Sequence, residues 1–349
     1  MKLIEFVPPE RHPLWKLCLQ MGITDVVVKV MDHDPETVIA DLASAGLRVV
    51  GFEGDMFDMS PIKEFGAKKG EAESFPLVSE AQREHAISRY REYLELMARH
   101  GIKLLCYNFM VGQGWSRTGV REGRGGAKAT YFSLKETVKS TPIESDGFAN
   151  ASPSGFDGAL AEVSDKSELK ITAEQVWANY EYFIRAVMPT AERLGIRMAL
   201  HPDDPCLDSL GGYARIFGSV EAYDRAYSIY PSEANAVTYC QANFKLMGVD
   251  LVETARHFGK RIAFVHVRDV EGDKTDFTEL FHDQGTTDQF ALMRTYRELG
   301  LDVPVRGDHV PEMEGDRLVT ADCIPGYFTL GRLFANGYLK ALLKGTDHA

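Results

Sequence analysis

IRMALHPDDP, residues 196–205, decides how this chain is read. Its opening residues suit a buried strand, Arg197 through its long apolar stem. A histidine, two aspartates and two prolines then follow without a break. Two further runs end in the same way, IAFVHVRDV at 262–270 and VPVRGDHVP at 303–311. Strands that read as core and end in ligands and acids belong to a fold that delivers every strand end to one place.

Working outward, KLIEFV (2–7), TDVVVKV (24–30), LRVVGFEG (47–54), IKLLCYNFM (102–110) and AVTYCQANF (236–244) bring the count of such runs to eight. Most are near-continuous apolar runs, as parallel strands covered on both faces require. Between them lie helical patterns. PETVIADLASAG (35–46), SEAQREHAISRYREYLELMARHG (79–101), TAEQVWANYEYFIRAVMPTAERLG (172–195), GVDLVETARHFG (248–259) and TTDQFALMRTYRELG (286–300) all close on glycine. Eight strands alternating with helices predict an α/β fold, a (β/α)8 TIM barrel, with a doubly wound open sheet as second choice. The barrel is expected to occupy residues 1–349 as a single catalytic domain. Residues 111–171 break the rhythm, being long and rich in Gly, Ser and Asp. They form an excursion after strand four and so belong at the C-terminal mouth. Trp115, Arg117 and Tyr131 favour an inserted lid over a plain surface excursion.

Composition narrows the partners. The net charge of -12 repels a phosphate backbone, so nucleic acid is not expected. The five cysteines are scattered and form no CxxC pair, which suits free thiols in a reducing compartment. The N-terminus has no secretory h-region, and no apolar run approaches the roughly 20 residues that cross a bilayer. The expectation is a cytoplasmic protein with no membrane partner, acting on a small molecule as a homo-oligomer (a dimer or larger).

Barrel chemistry sits at the C-terminal strand ends. There strand five offers His201, strand six Cys240, strand seven His266, and strand eight Asp308 with His309. One strand-end histidine is ordinarily a hydrogen-bonded structural residue, and one strand cysteine a small buried side chain. Donors at equivalent positions of successive strands are instead a divalent-cation set: two imidazoles, a thiolate and a carboxylate. Zinc fits, as do manganese, iron or cobalt where positions stay open for substrate. His12, His33, His85, His100 and His257 fall in loops or helices and read as surface residues. Arg268 follows His266 by two and Arg306 precedes Asp308 by two, so each shares its neighbour's face. Two guanidinium forks at the mouth point to a carboxylate or phosphate ligand, or else to ion pairs with Asp203, Asp204 or Asp269.

Taken together, YNFM (107–110), WSRT (115–118), HPDDP (201–205), YCQANF (239–244), HVRDV (266–270) and RGDHVPEMEGD (306–316) resemble the mannonate dehydratases. The resemblance runs in order from about residue 45 to the end. It implies a TIM barrel and dehydration of D-mannonate to 2-keto-3-deoxy-D-gluconate in hexuronate breakdown. It also implies a divalent metal, Mn2+ first, with Fe2+, Co2+ or Zn2+ as alternatives. By matching position, the family's metal ligands fall on His201, Cys240, His266 and Asp308, and its acid–base candidates on His309 and Tyr327. Departures are Gly307 for the family's proline, WSRTG for its Trp-Thr-Arg-Thr-Asp, VKVMDHDP for its His-His-x-Pro, a loosely matched FHDQG (281–285), and a first strand without the aromatic-rich turn.

The expected chemistry is β-elimination. A group takes the C2 proton beside the carboxylate and another protonates the departing C3 hydroxyl. Tyr327 is read as the base and His309 as the acid. Arg306 and Arg268 are read as carboxylate-binding, Asn108 and Arg117 as contacts to the far end of the sugar acid. Asp204 is assigned to sugar hydroxyls or, with Asp203, to orienting His201. Two rival readings are a metal-dependent sugar isomerase or epimerase on the same barrel, and a non-catalytic metal- or aldonate-binding barrel.

Overall fold

The structure, a computed structural model, describes residues 1–68, 77–112, 114–137, 169–320 and 323–346. Its central sheet is wholly parallel. The first strand runs in two pieces, Lys2–Leu3 and Glu5–Val7, followed by Asp25–Val28, Arg48–Glu53, Leu104–Tyr107, Arg197–Leu200, Asn235–Cys240, Ile262–Val267 and Pro304–Gly307. Each pairs with the next, and Lys2–Leu3 pairs with Pro304–Val305, which closes the ring. The two pieces of the first strand therefore join the last strand on one side and the second on the other. The result is the eight-stranded barrel expected from the alternation.

Inside and outside follow the pleat. Ile4, Val27, Leu104, Cys106, Ala199, Ala236 and Phe264 form one small cluster, the barrel's interior. Their sequence neighbours Val26, Val28, Leu105, Tyr107, Met198, Leu200 and Val265 belong to the larger cluster between strands and helices. Gly51 faces inward, where an added Cβ would meet Leu104 O and Val27 Cγ1 at 3.0 Å. By the same alternation Glu53, Thr238, Cys240, His266 and Arg306 face the lumen, on strands three, six, seven and eight.

The outer layer is helical: Pro13–Gln20, Pro35–Ser44, Glu80–Arg99, Ala173–Leu194, Val220–Ile229, Leu251–Phe258, Gln289–Glu298 and Thr329–Gly345. Ser79 and Thr172 each make a full capping box with a glutamine three residues on. Asp34, Asp250 and Asp288 cap their helices with a side-chain oxygen. Gly195 ends its helix in the left-handed conformation, φ 65°. The helices Pro13–Gln20, Val220–Ile229 and Thr329–Gly345 are additions to the five helical segments expected from sequence.

A second, antiparallel sheet of four strands was unforeseen from sequence. Its order is Val270–Asp273, Asp276–Glu279, Lys128–Ser133, Gly119–Glu122. Half comes from the excursion after strand four and half from a hairpin after strand seven. Phe132 stacks on Phe277 across the join, with centroids 5.9 Å apart. Within the excursion, residues 119–133 are thus largely ordered sheet, and 138–168 lie outside the described residues.

Candidate metal centre

Each of the four strand-end donors is carried to the barrel mouth by its own strand. One ligand atom each from His201, Cys240, His266 and Asp308 lies within 4.8 Å of the others. The His201 and His266 rings are 5.1 Å apart, and Cys240 Sγ is 4.0 Å from Asp308 Oδ2. His266 is 1% exposed, and neither ring nitrogen has a hydrogen-bond partner. Nδ1 stands 3.7 Å from Asp308 Oδ2, and Nε2 stands 3.6 Å from Glu53 Oε1. A buried imidazole left unsatisfied in this way is what a cation-binding site requires of a ligand. His201 Nδ1 is fixed by Pro202 O at 2.8 Å, which leaves Nε2 for the centre.

Charge favours the ligating forms of three donors. Burial lowers the His201 pKa to about 4 and that of His266 well below the usual range, so both rings are neutral. Burial opposes ionisation of Asp308, but the positive groups around it, Arg306 and Arg268 among them, hold its carboxyl well below the usual range. Cys240 is the exception. Burial, partly offset by Arg268, raises its thiol to about 12, and Sγ donates to Asn243 Oδ1 at 3.1 Å. Ligation requires that proton to leave, which a cation beside the sulfur drives.

Around the donors lies a buried charge network. Arg306 grips Glu53 with Nε at 3.0 Å and with Nη2, and reaches Asp308 Oδ1 at 3.0 Å. Arg268 binds Asp204 Oδ2 at 2.8 Å, Asn243 Oδ1 at 3.0 Å and Glu279 Oε1 at 3.0 Å. Arg117 takes Asp204 in a two-pronged grip at 2.6 and 2.9 Å and also holds Glu279. Arg117, Arg268 and Asp204 thus already engage one another or a protein carboxylate. Burial opposes ionisation of Asp204, yet Arg117 and Arg268 keep its carboxyl well below the usual range. Asp203 accepts from Phe217 N at 2.8 Å and fixes the HPDDP turn. Asn108 Oδ1 accepts from Lys63 Nζ and from Met110 N, both at 3.1 Å, and so secures its own turn.

His309 and Tyr327 meet. Nε2 lies 3.1 Å from the tyrosine hydroxyl, and Nδ1 lies 2.8 Å from Glu279 Oε1. The indole of Trp115 packs on the imidazole with centroids 4.9 Å apart. His309 has a positive φ of 29°, a conformation that non-glycine residues adopt sparingly and that recurs at functional sites. Burial and the Asp308 charge raise the Tyr327 pKa, against the opposing Arg306. This environment runs against the expectation of a tyrosinate base.

Two acidic residues of the site were not singled out from sequence, Glu53 and Glu279. Glu53 ends strand three, so the rule that found the four donors reaches it too. Burial raises its carboxyl and Arg306 opposes the rise. Glu279 lies off the barrel, where that rule has no purchase. Gly307 gains a reason as well: an added Cβ would stand 3.2 Å from both His282 Nε2 and Ala335 Cβ.

A family model described as D-mannonate dehydratase (UxuA) matches residues 31–349. The chain belongs to the D-mannonate dehydratase family. A mannonate dehydratase of Streptococcus agalactiae serotype V is 30% identical over 280 residues, spanning 76% of this chain and 77% of the relative. Mannonate dehydratase 2 of Halalkalibacterium halodurans is 30% identical over 278 residues, spanning 74% and 76%. The solved mannonate dehydratase of Streptococcus suis serotype 2 superposes with a TM-score of 0.80 at 24% identity, covering 100% of this chain and 94% of that one. An L-ribulose 3-epimerase gives 0.56 at 11% identity, covering 100% and 96%, a likeness of fold. In this chain the four candidate donors stand at the ends of the fifth to eighth strands, and His309 and Tyr327 follow the last of them.

Proposed function

We propose that the chain removes water from D-mannonate to give 2-keto-3-deoxy-D-gluconate, with a divalent cation, manganese first, held by His201, Cys240, His266 and Asp308. The observation that carries this is the convergence of those four donors beside the His309–Tyr327 pair, in a chain of the dehydratase family. A cation bound there supplies Lewis-acid stabilisation of the charge that builds on the substrate carboxylate. Arg306 and Arg268 add fixed positive potential at the same mouth while restraining Asp308. His309 Nε2 takes the C2 proton. Tyr327, its hydroxyl kept protonated by burial and Asp308, delivers a proton to the C3 hydroxyl as it leaves. Trp115 covers the pair and excludes water from it. The four-stranded sheet supports reading residues 119–133 of the excursion as a cover.

The test is turnover of D-mannonate with added manganese, following the 2-keto-3-deoxy acid by its colour reaction. Product that a chelator abolishes and manganese restores is the expected result. An isomerised sugar acid without a deoxy product would replace this reading with the isomerase one. Bound metal and aldonate without turnover would replace it with a binding barrel. The two proton-transfer roles separate in deuterated water. Tyr327→Phe is expected to retain exchange of the C2 hydrogen while losing dehydration, and His309→Asn to lose both, each with kcat lowered by roughly 10²–10⁴-fold. The reverse exchange pattern would interchange the roles.

A further inference from the structure

Glu279 lies outside the barrel, on the second strand of the hairpin after strand seven, and is 1% exposed. One of its oxygens, Oε1, collects three side chains. His309 Nδ1 lies at 2.8 Å, Arg117 Nε at 2.8 Å and Arg268 Nη2 at 3.0 Å. Between two guanidinium groups the carboxylate is ionised, and an ionised carboxylate only accepts. The proton in its contact with His309 therefore sits on Nδ1. In the neutral ring Nε2 then turns its lone pair towards Tyr327, whose hydroxyl lies at 3.1 Å. Asp308 Oδ1, the other acceptor near Nε2, is at 3.6 Å and beyond hydrogen-bond reach. Trp115 and Tyr327 pack on the imidazole with centroids at 4.9 and 5.1 Å, and restrict its rotation.

We propose that Glu279 is a positioning residue for proton transfer: it holds the proton on Nδ1 of His309 and so presents Nε2 to the substrate. The proposal rests on the reading of His309 as a proton-transfer group. It gives the buried network a purpose. Arg117 is held by Asp204 from the HPDDP turn, and Arg268 rises from strand seven. Together they fix a carboxylate that no barrel strand carries. It also ties the excursion to the chemistry, because Asp276–Glu279 pairs with Lys128–Ser133 along Asp276↔Ser133, Phe277↔Phe132 and Thr278↔Tyr131. The sheet over the mouth is then the carrier of a residue that the reaction needs.

The test uses the full chain, labelled with 15N-histidine and loaded with a diamagnetic divalent cation. In the wild type the Nδ1 resonance of His309, assigned by its loss in His309→Asn, is expected in the protonated range. Glu279→Leu is expected to move that proton to Nε2 and to lower kcat by about 10²-fold or more, with KM for D-mannonate changing far less. Glu279→Gln, whose amide oxygen still accepts, is expected to keep the Nδ1 proton and to retain more activity than the leucine variant. An unprotonated Nδ1 in the wild type overturns the proposal without recourse to any variant. A folded, metal-loaded Glu279→Leu with unchanged kcat overturns it as well. Failure of the dehydratase reading would be distinct, since it appears as absence of product from a wild type whose Nδ1 is protonated.

Discussion

His266 is the residue on which the centre turns. It is buried with both ring nitrogens unsatisfied, lying between Asp308 and Glu53. His266→Ala and Cys240→Ser are each expected to reduce bound metal sharply in the purified protein, measured by elemental analysis. Unchanged stoichiometry in both would remove the site from this set of residues. Arg306 makes a different kind of contribution. It stands between the partly buried Glu53 and the buried Asp308, and removing it takes the cationic partner from both carboxylates. Arg306→Ala is expected to destabilise the fold by about 3–5 kcal/mol, as loss of one partner from a buried pair does, and denaturant titration of the metal-free protein checks this. At this scale the sequence was informative where a residue type was unusual for its place. A histidine or a cysteine closing an apolar strand stands out. Glu53 closes LRVVGFEG in the same way, but a single glutamate beside a glycine also reads as the start of a solvated turn.

The elements divide along similar lines. Helices with a capping residue and a closing glycine were legible because capping and chain reversal are local physics. The antiparallel sheet was not, because its strands are short and two of them lie in a segment rich in glycine and polar residues. Its pairing joins residues far apart in the chain, which no local period records. EGDKTDFTE (271–279) does carry a hairpin signal, a turn of polar residues between alternating ones. Gly272 is essential to that hairpin. Its φ is 113°, and an added Cβ would stand 2.1 Å from Asp276 O. Gly272→Ala is expected to destabilise the protein by more than about 1 kcal/mol, since a side chain here conflicts with native φ as well as with space. It should also lower kcat by displacing Glu279. Wild-type stability and kcat in this variant would detach the hairpin from both roles.

For the molecule as a whole, acid is the informative variable. Burial opposes ionisation of Glu279, yet Arg268, His309 and Arg117 lower its carboxyl from 4.5 to about 2. A carboxyl depressed in the folded state stabilises above its unfolded pKa, and that contribution disappears as pH falls through the folded value. Glu279→Gln is therefore expected to be less stable than wild type at neutral pH, with the gap closing between about pH 4.5 and pH 2. Acid unfolding of the two proteins in parallel measures it, and a gap that does not narrow would show that the charge is not what stabilises. Burial raises Glu53 and Asp203 instead, so the comparison with the variant, rather than the wild-type curve alone, isolates this residue.

All four proposed metal donors lie on the fifth to eighth strands or one residue beyond them, while the first four strands contribute Glu53 and close the ring through Lys2–Leu3. Split in the region between the fourth and fifth strands, the protein would yield one piece bearing every donor but no barrel to hold them at their distances. That piece should bind the cation weakly when alone and regain affinity on mixing with its complement. Fragment complementation would then report closure of the barrel through the metal it restores.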